Sequence, residues 1–398
     1  MTPGARISAA IECLDLIFDG MPAEKALTGW ARRSRFAGSK DRAAVRDHVF
    51  DVLRRRDTYA NIGGGLTGRS VMIGLAQFHE DLEFDALFNG VGHAPYELSE
   101  EEKARLSNTL SSEVNGAEGA SNFWDLQDWC RDKLSSSHPQ NARHIAEALK
   151  SRAPVDVRVN LRRATVSQAQ EQLHAEEIEA EACSLAPAAL RLKQNARKIA
   201  RSQTYLDGII ELQDAGSQAL VGVLPLANCK TVLDYCAGGG GKSLTISDMS
   251  DAKVFAHDIS VARMADISKR AERAGVTIPC LASEDLPKHA PFDLVLCDAP
   301  CSGSGSWRRS PDAKWRIKPK KFNELLDLQF EILCKAQKLV APMGYLVYAT
   351  CSLFAEENEN QVKRLLETHP NFERKSQHNW TPADGCDGFF VCVLQLKA

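Results

Sequence analysis

With 398 residues and a net charge of −3, the chain is long enough for about two or three separately cored domains, and its charge balance alone names no partner. A composition that is 44% hydrophobic and 25% charged excludes a disordered polyampholyte, because there is apolar surface enough to offset chain entropy. The opening "MTPGARISAAIECLDLIFDG" breaks its apolar run with acids, which argues against a signal peptide or a membrane span and predicts a cytoplasmic protein.

Residues 1–145 read as a helical domain. Ile7, Ile11, Leu14 and Phe18 recur at helical spacing up to Gly20, and Val45, Val49 and Leu53 do the same among arginines. Ser99 followed by Glu102 is a capping-box signature that opens another helix. These apolar stripes are core, and what remains outside is an arginine-rich face. Basic residues cluster again in "LRRRD", "VRVNLRR", "RLKQNARKIARSQ" and "WRRSPDAKWRIKPKK". Any one cluster is as well explained by a solvated helix face or loop, but together they favour an anionic, phosphate-bearing partner.

Residues 146–200 change texture and predict a small α+β module: "VDVRVNL" alternates like a strand, "SQAQEQLHAEE" is helical and "ALRLK" is a short strand. From 201 to 398 the chain alternates short, nearly all-apolar strands with helices. The strands are "TVLDYC", "KVFAHD", "TIPCLA", "DLVLCDA", "GYLVYAT" and "FFVCVLQL". Strands apolar on both faces and joined by crossover helices predict an α/β fold with a doubly wound, mostly parallel sheet. Such sheets bind ligands beyond the carboxyl ends of their strands. Asp234 with Cys236, Asp258, Asp298 with Cys301, and Cys351 fall at those ends.

"VLDYCAGGGGKSL" sets Gly238, Gly239, Gly240 and Gly241 between a strand and a helix. Glycine admits positive φ and close approach of a ligand to the backbone, while the helix start offers unpaired N–H groups. A P-loop is disfavoured because Cys236 stands where its first glycine belongs, and a dehydrogenase fingerprint lacks its third glycine. S-adenosylmethionine carries no phosphate and suits an acid before the glycine loop with another ending the next strand. Asp234 and Asp258 occupy those places.

Twelve cysteines are scattered through apolar runs with no C-x-x-C pair, a pattern of reduced thiols that argues against a structural zinc site. Cys297, Cys334 and Cys392 read as small core hydrophobes. Cys301 and Cys351 stand apart, each closing a strand in a distinctive phrase, "DAPCSG" and "ATCS". Two thiols and an aspartate on neighbouring strand ends would suit methylation of carbon 5 of a cytosine. A thiolate added to carbon 6 makes carbon 5 nucleophilic, and a later proton loss lets the sulfur leave.

The phrases "YCAGGGGKS", "AHD", "DLVLCDAPCSGSGSWRRSPDAKWR", "GYLVYATCSLFAEENENQV" and "DGFFVCVLQLK" resemble the RNA (cytosine-5) methyltransferases of the RsmB and Nop/Sun group. "VRVNLRR" and "QDAGSQALV" look like segments preceding that family's cofactor loop, and "GSKDRAAVRDHVFDVLRRRD" is similar to its NusB-like helical RNA-binding domain. The resemblance implies a Rossmann-like methyltransferase domain using S-adenosyl-L-methionine. Cys351 then falls at the nucleophile, Cys301 at the cysteine that releases product, and Asp298 at the acid that holds the cytosine ring, with Lys242 close to it. The cofactor is implied to lie on the loop Cys236, Ala237, Gly238, Gly239, Gly240, Gly241 and Lys242, and on Asp234, Asp258 and Asp298. Two departures stand out. Gly-Gly-Gly-Gly-Lys stands where many relatives have Ala-Pro-Gly-Gly-Lys, losing the proline that stiffens the loop, and the family's acid after the third strand has no clean counterpart, Asp285 being the candidate.

The NusB-like head leans the expectation toward 16S ribosomal RNA, and a monomer is expected. A base buried in a helix could not reach these groups, so the target cytosine must be unpaired or flipped out. Alternatives are a transfer-RNA enzyme of the same family, a DNA cytosine-5 methyltransferase, whose nucleophile is the cysteine after proline, and a non-catalytic RNA-binding assembly factor. The basic groups of "WRRSPDAKWRIKPKK" are expected to hold phosphates beside the target base while its tryptophans stack or pack.

Overall fold

The computed structural model describes residues 1–79, 83–114 and 123–397, and of residues 108–114 the backbone alone. Among the described residues the chain forms two compact units, Met1–Arg152 with Trp307–Ile317, and Ala153–Ser306 with Lys318–Ala398. No helix among them is long and apolar enough to cross a membrane.

The first unit is helical. Helix Pro3–Phe18 starts where the Thr2 hydroxyl accepts the Ala5 N–H and Pro3 supplies a helical φ. Ile7 and Leu14 of its stripe are fully buried, and Ile11 and Phe18 pack half-buried against the same core. Val45, Val49 and Leu53 from helix Ser39–Arg54 complete that core with Trp30, Tyr59 and Met72. Helices Arg56–Gly63 and Gly68–Phe78 meet at backbone level. A Cβ on Gly74 would lie 2.1 Å from the Tyr59 carbonyl oxygen, so only glycine fits. Helix Glu100–Val114 opens with the expected reciprocal box: the Glu102 N–H donates to Ser99 Oγ at 3.2 Å and the Ser99 N–H to Glu102 Oε2 at 2.9 Å.

Trp307–Ile317 packs within this helical unit, which overturns part of the phosphate-holding expectation for that segment. Trp307, Arg308 and Lys314 are buried. Lys314 Nζ donates to the Arg54 carbonyl at 2.8 Å, Arg54 Nε to the Arg308 carbonyl at 2.9 Å, and Trp315 Nε1 to the Leu53 carbonyl at 2.7 Å. Burial pushes the Lys314 ammonium down to about 7, against the opposing pull of Asp125 and Asp57. Lys314 here serves a backbone acceptor, Arg316 pairs with Asp312, and Trp315 lies under the Arg56 guanidinium at 3.5 Å. The exposed basic groups of the stretch are Arg316 and, in its tail, Lys318, Lys320 and Lys321.

The second unit holds two sheets. The smaller is antiparallel in the order β2-β3-β1-β4, from β1 (Val155–Val159), β2 (Ala180–Ala182), β3 (Ala189–Leu192) and β4 (Ile210–Leu212). It covers helix Val166–Ala175 around Val157, Val159, Leu173, Leu190 and Ile210. β4 carries this sheet past residue 200, where the sequence reading ends the module.

The larger sheet runs β10-β11-β9-β8-β5-β6-β7, from β5 (Thr231–Asp234), β6 (Lys253–His257), β7 (Cys280–Leu281), β8 (Phe292–Asp298), β9 (Val340–Thr350), β10 (Phe372–Trp380) and β11 (Phe389–Leu396). The pairs from β7 through β9 are parallel, while β11 is antiparallel to both β9 and β10. Successive residues feed opposite cores. Val232, Leu294 and Leu296 face one, and Leu233, Val295 and Cys297 the other. Burial on both faces is why these strands read as unbroken apolar runs. The fold is the expected Rossmann-like one, and the strand order reverses at β5, where the carboxyl ends of β5, β6, β8 and β9 form one edge.

Candidate active site

β5 ends at the buried Asp234, and the chain then turns through the glycine loop into helix Gly241–Met249. Two of the four glycines are demanded by backbone geometry. Gly238 has φ +51° and Gly240 φ +77°, and Cβ atoms there would lie 2.9 Å from an Arg263 guanidinium nitrogen and from Ile267 Cγ1. Asp258 holds the loop in place, its Oδ2 accepting the Gly238 N–H at 3.0 Å and its Oδ1 the Ser260 N–H at 2.9 Å. Arg263 pairs with the same carboxylate at 3.0 Å.

Asp234 Oδ2 accepts the Ser243 hydroxyl at 2.6 Å, while Oδ1 is buried and meets no donor among the described residues. Burial pushes this carboxyl up to about 7, with Asp298 adding to the rise and Ser243 and Lys242 opposing it. A cavity of about 440 Å³ opens beside the loop, lined by Cys236, Asp258, Ile259, Ser283, Leu286 and Pro300 among others. Burial also raises the Cys236 thiol, so it meets the cavity as a neutral, apolar group.

Asp285 is not brought into this group. Its carboxylate is part-exposed and bound to Lys288 at 2.6 Å, which holds it below the usual range. From the same segment it is Ser283 that lines the cavity, bonded at 2.9 Å to His257 Nε2. His257 Nδ1 in turn meets the Tyr235 carbonyl at 2.7 Å, tying the ends of β5 and β6 together.

β8 and β9 are parallel neighbours with Asp298 opposite Ala349. That register places the two cysteine loops side by side, and Cys301 Sγ lies 3.4 Å from Cys351 Sγ. Both residues are only partly buried, whereas Cys297 and Cys392 are fully buried, as expected of core thiols. Cys334, expected in the core as well, is likewise only partly buried because it lies on the less covered face of its helix end. Lys242 Nζ reaches Asp298 Oδ2 at 2.6 Å and lies 5.6 Å from the centre of the Phe389 ring. Burial works against the Lys242 charge, but the Asp298 carboxylate outweighs it and holds the ammonium above its ordinary range.

The Cys301 thiol is pushed well above its ordinary range, first by its hydrogen bond to Cys351, then by burial and by negative charge on Cys351 and Glu357. Cys301 therefore keeps its proton and can share it with Cys351. Arg263, His257 and Glu357 are contributors the sequence reading passed over. Glu357 lies in the run "AEENEN", where nothing local separates it from Glu356 or Glu359.

A sequence profile for the family described as 16S rRNA methyltransferase RsmB/F matches residues 221–393, and one for the RsmF/B-like ferredoxin-like domain matches residues 127–198. A Bacillus subtilis protein named probable ribosomal RNA small subunit methyltransferase B is 31% identical over 350 residues, spanning 76% of this chain and 78% of the relative. A Sodalis glossinidius protein named ribosomal RNA small subunit methyltransferase B is 33% identical over 249 residues, 61% of this chain and 57% of that relative, so the match spans little more than half of it. The solved structure titled PH0851 shares the fold, with a TM-score of 0.73, 22% identity and 99% of each chain covered. On this agreement of motif, topology and sequence, the chain belongs to the RsmB/F family of methyltransferases.

Proposed function

We propose that the protein is an S-adenosyl-L-methionine-dependent RNA cytosine-5 methyltransferase acting on 16S ribosomal RNA through a covalent bond between Cys351 and carbon 6 of the target. The observation that carries this reading is the pair of thiols 3.4 Å apart on the strand ends that also bear the Lys242–Asp298 ion pair. One thiol alone would serve many chemistries, whereas two side by side suit a division of labour in which one attacks the pyrimidine ring and the other assists release.

The residues fit the cofactor. Asp234 Oδ1 is a buried acceptor awaiting a donor such as an amino-acid ammonium, Asp258 stands at the cavity wall where a ribose diol can bond, and the cavity falls within the range of about 300–1,000 Å³ usual for small-molecule sites. S-adenosyl-L-methionine, when bound, supplies an electrophilic methyl group. Asp298 is assigned to the ring nitrogen and exocyclic amine of the cytosine, with Lys242 fixing its carboxylate. Cys351 attacks carbon 6 as a thiolate. Cys301, which retains its proton in the resting pair, assists release after the carbon 5 proton has left. The target base must be splayed out or unpaired to reach these groups.

An RNA partner is supported by a groove of about 640 Å³ in the helical unit lined by Arg32, Arg35, Arg42 and Arg46. Phe36, next to it in the chain, is 75% exposed and offers a stacking face. We assign residues 1–145 as the NusB-like RNA-binding domain and take the protein to work as a cytoplasmic monomer.

Two variants test the chemistry. Cys351→Ala should abolish both methylation and the covalent protein–RNA complex, whereas Cys301→Ala should leave enzyme trapped on RNA. An adduct that persists in Cys351→Ala would move the nucleophile to Cys301, the DNA-enzyme arrangement. Bisulfite sequencing of RNA from cells lacking the gene identifies the substrate, and a full set of ribosomal marks with a missing transfer-RNA mark would redirect the assignment.

A further inference from the structure

Cys301 and Cys351 are 50 residues apart in sequence, on loops following different strands, yet their sulfurs are 3.4 Å apart. Strand register brings the loops together, and the Gly305 N–H donating to the Cys351 carbonyl at 2.9 Å and the Leu353 N–H to Ser304 Oγ at 2.7 Å join them beyond the strand ends. Each cysteine is followed by a serine, and both serines bind one carboxylate. Ser302 donates its backbone N–H to Glu357 Oε1 at 2.7 Å, and the hydroxyls of Ser302 and Ser352 both donate to Oε2. Gln329 Nε2 donates to Oε1 at 3.0 Å and, also at 3.0 Å, to the Pro300 carbonyl just before Cys301.

On the other loop, Asn358 Nδ2 donates to the Ser352 carbonyl at 2.9 Å, and its Oδ1 accepts the hydroxyl of Thr350, the residue before Cys351. Glu357 itself is 0% exposed, and its backbone carbonyl accepts the Tyr348 hydroxyl at 2.6 Å. Its four donors among the described residues, two to each oxygen, match the acceptor capacity of an ionised carboxylate. A charge so deeply buried is costly unless fully bonded, and here every bond on the cysteine side goes to a residue flanking a reactive thiol.

Building on the Cys351 and Cys301 roles proposed above, we propose that Glu357 is a positioning residue that holds both thiols at working separation by binding the serine that follows each. It touches no reacting atom. Its negative charge also helps Cys301 keep its proton, so it acts on the pair in both geometry and ionisation.

The test separates geometry from the methylation reading. In a glutathione redox buffer, oxidised glutathione takes up two electrons and two protons from Cys301 and Cys351, giving their disulfide and two reduced glutathiones. The equilibrium, read by peptide mass mapping, measures how closely the thiols are held without any RNA. Glu357→Gln keeps the shape of the side chain but replaces the charge-assisted bonds to the two serine hydroxyls by weaker neutral ones, and should still fold cooperatively. It should lower the effective thiol concentration by about tenfold, a shift of about 30 mV. Ser352→Ala, which removes the Cys351-side bond to Glu357 together with the Ser352 hydroxyl's contacts to Ser302 and Ser304, should do likewise while Ser352→Thr restores the wild-type value. In turnover, Glu357→Gln should lower kcat by about a hundredfold with the KM for RNA held within about twofold. Wild-type redox equilibria in both Glu357→Gln and Ser352→Ala would overturn the proposal whatever the RNA assays give. A lowered equilibrium in a protein whose Cys351→Ala variant still forms the RNA adduct would overturn the assigned reaction and leave Glu357 as the thiol staple.

Discussion

Replacing Gly240 by alanine perturbs the glycine loop at one atom, and its neighbour Gly241 provides the control. Gly240 sits at φ +77°, a left-handed conformation that costs an L side chain about 1–2 kcal/mol. Its new Cβ would come within 2.9 Å of Ile267 Cγ1, and Ile267 is fully buried, so repacking adds about 1–3 kcal/mol. Together these give roughly 2–5 kcal/mol, and at about 2–4 °C per kcal/mol for a unit of this size the melting temperature should fall by roughly 4–20 °C. Gly241, one residue on, is the first residue of the helix, and a Cβ there meets nothing within 4 Å among the described residues. Gly241→Ala should therefore be neutral or stabilise by up to about 1 kcal/mol, since alanine loses less entropy in a helix. Thermal unfolding of the two variants, followed by near-ultraviolet circular dichroism, decides the matter. Equal destabilisation by both would refute the assignment of distinct backbone roles within the run.

Lys242→Met removes the partner of Asp298 at a site only partly open to water, and methyl transfer should fall by about 2–3 kcal/mol of transition-state stabilisation, measured as kcat/KM with labelled cofactor. The Asp234 carboxyl rises from 3.8 unfolded to about 7 folded, so between those values the folded chain binds more protons and stability falls as pH rises. Asp234→Asn should abolish that slope in denaturant titrations. Calorimetry on the parent should show cofactor affinity strengthening up to about pH 7 and levelling above it, because the charged form attracts the ammonium. Lys314 works in the opposite sense: its ammonium falls from 10.5 to about 7 on folding, so between those values the unfolded chain binds more protons and stability rises with pH. Lys314→Met should flatten that rise in the helical unit, and an unaltered pH profile would place the ammonium in a wetter setting than its burial indicates.

Local pattern determined much of this protein before any coordinates. The apolar runs ending at Asp234, Asp298 and Thr350 had to be strands buried on both faces, and chain order then put the acids and thiols on one edge. The glycine run was legible because a strand and a helix flank it closely. β10 escaped notice because "FERKSQHNW" lies at the sheet edge and is mostly solvated, so it carries no apolar alternation, and no local signal showed β11 slotting between it and β9. The basic character of Arg308 and Lys314 suggested an outward surface, yet tertiary packing buried both and turned the Lys314 ammonium to the Arg54 carbonyl. Asp285 shows the same limit, since a neighbouring lysine three residues on captured the carboxylate. The separation of the two sulfurs and the carboxylate of Glu357 beneath them were decided only in three dimensions. Spacing along a chain encodes which face a residue takes within its own element, whereas contacts between loops 50 residues apart depend on strand register and on hydrogen bonds that no periodicity records.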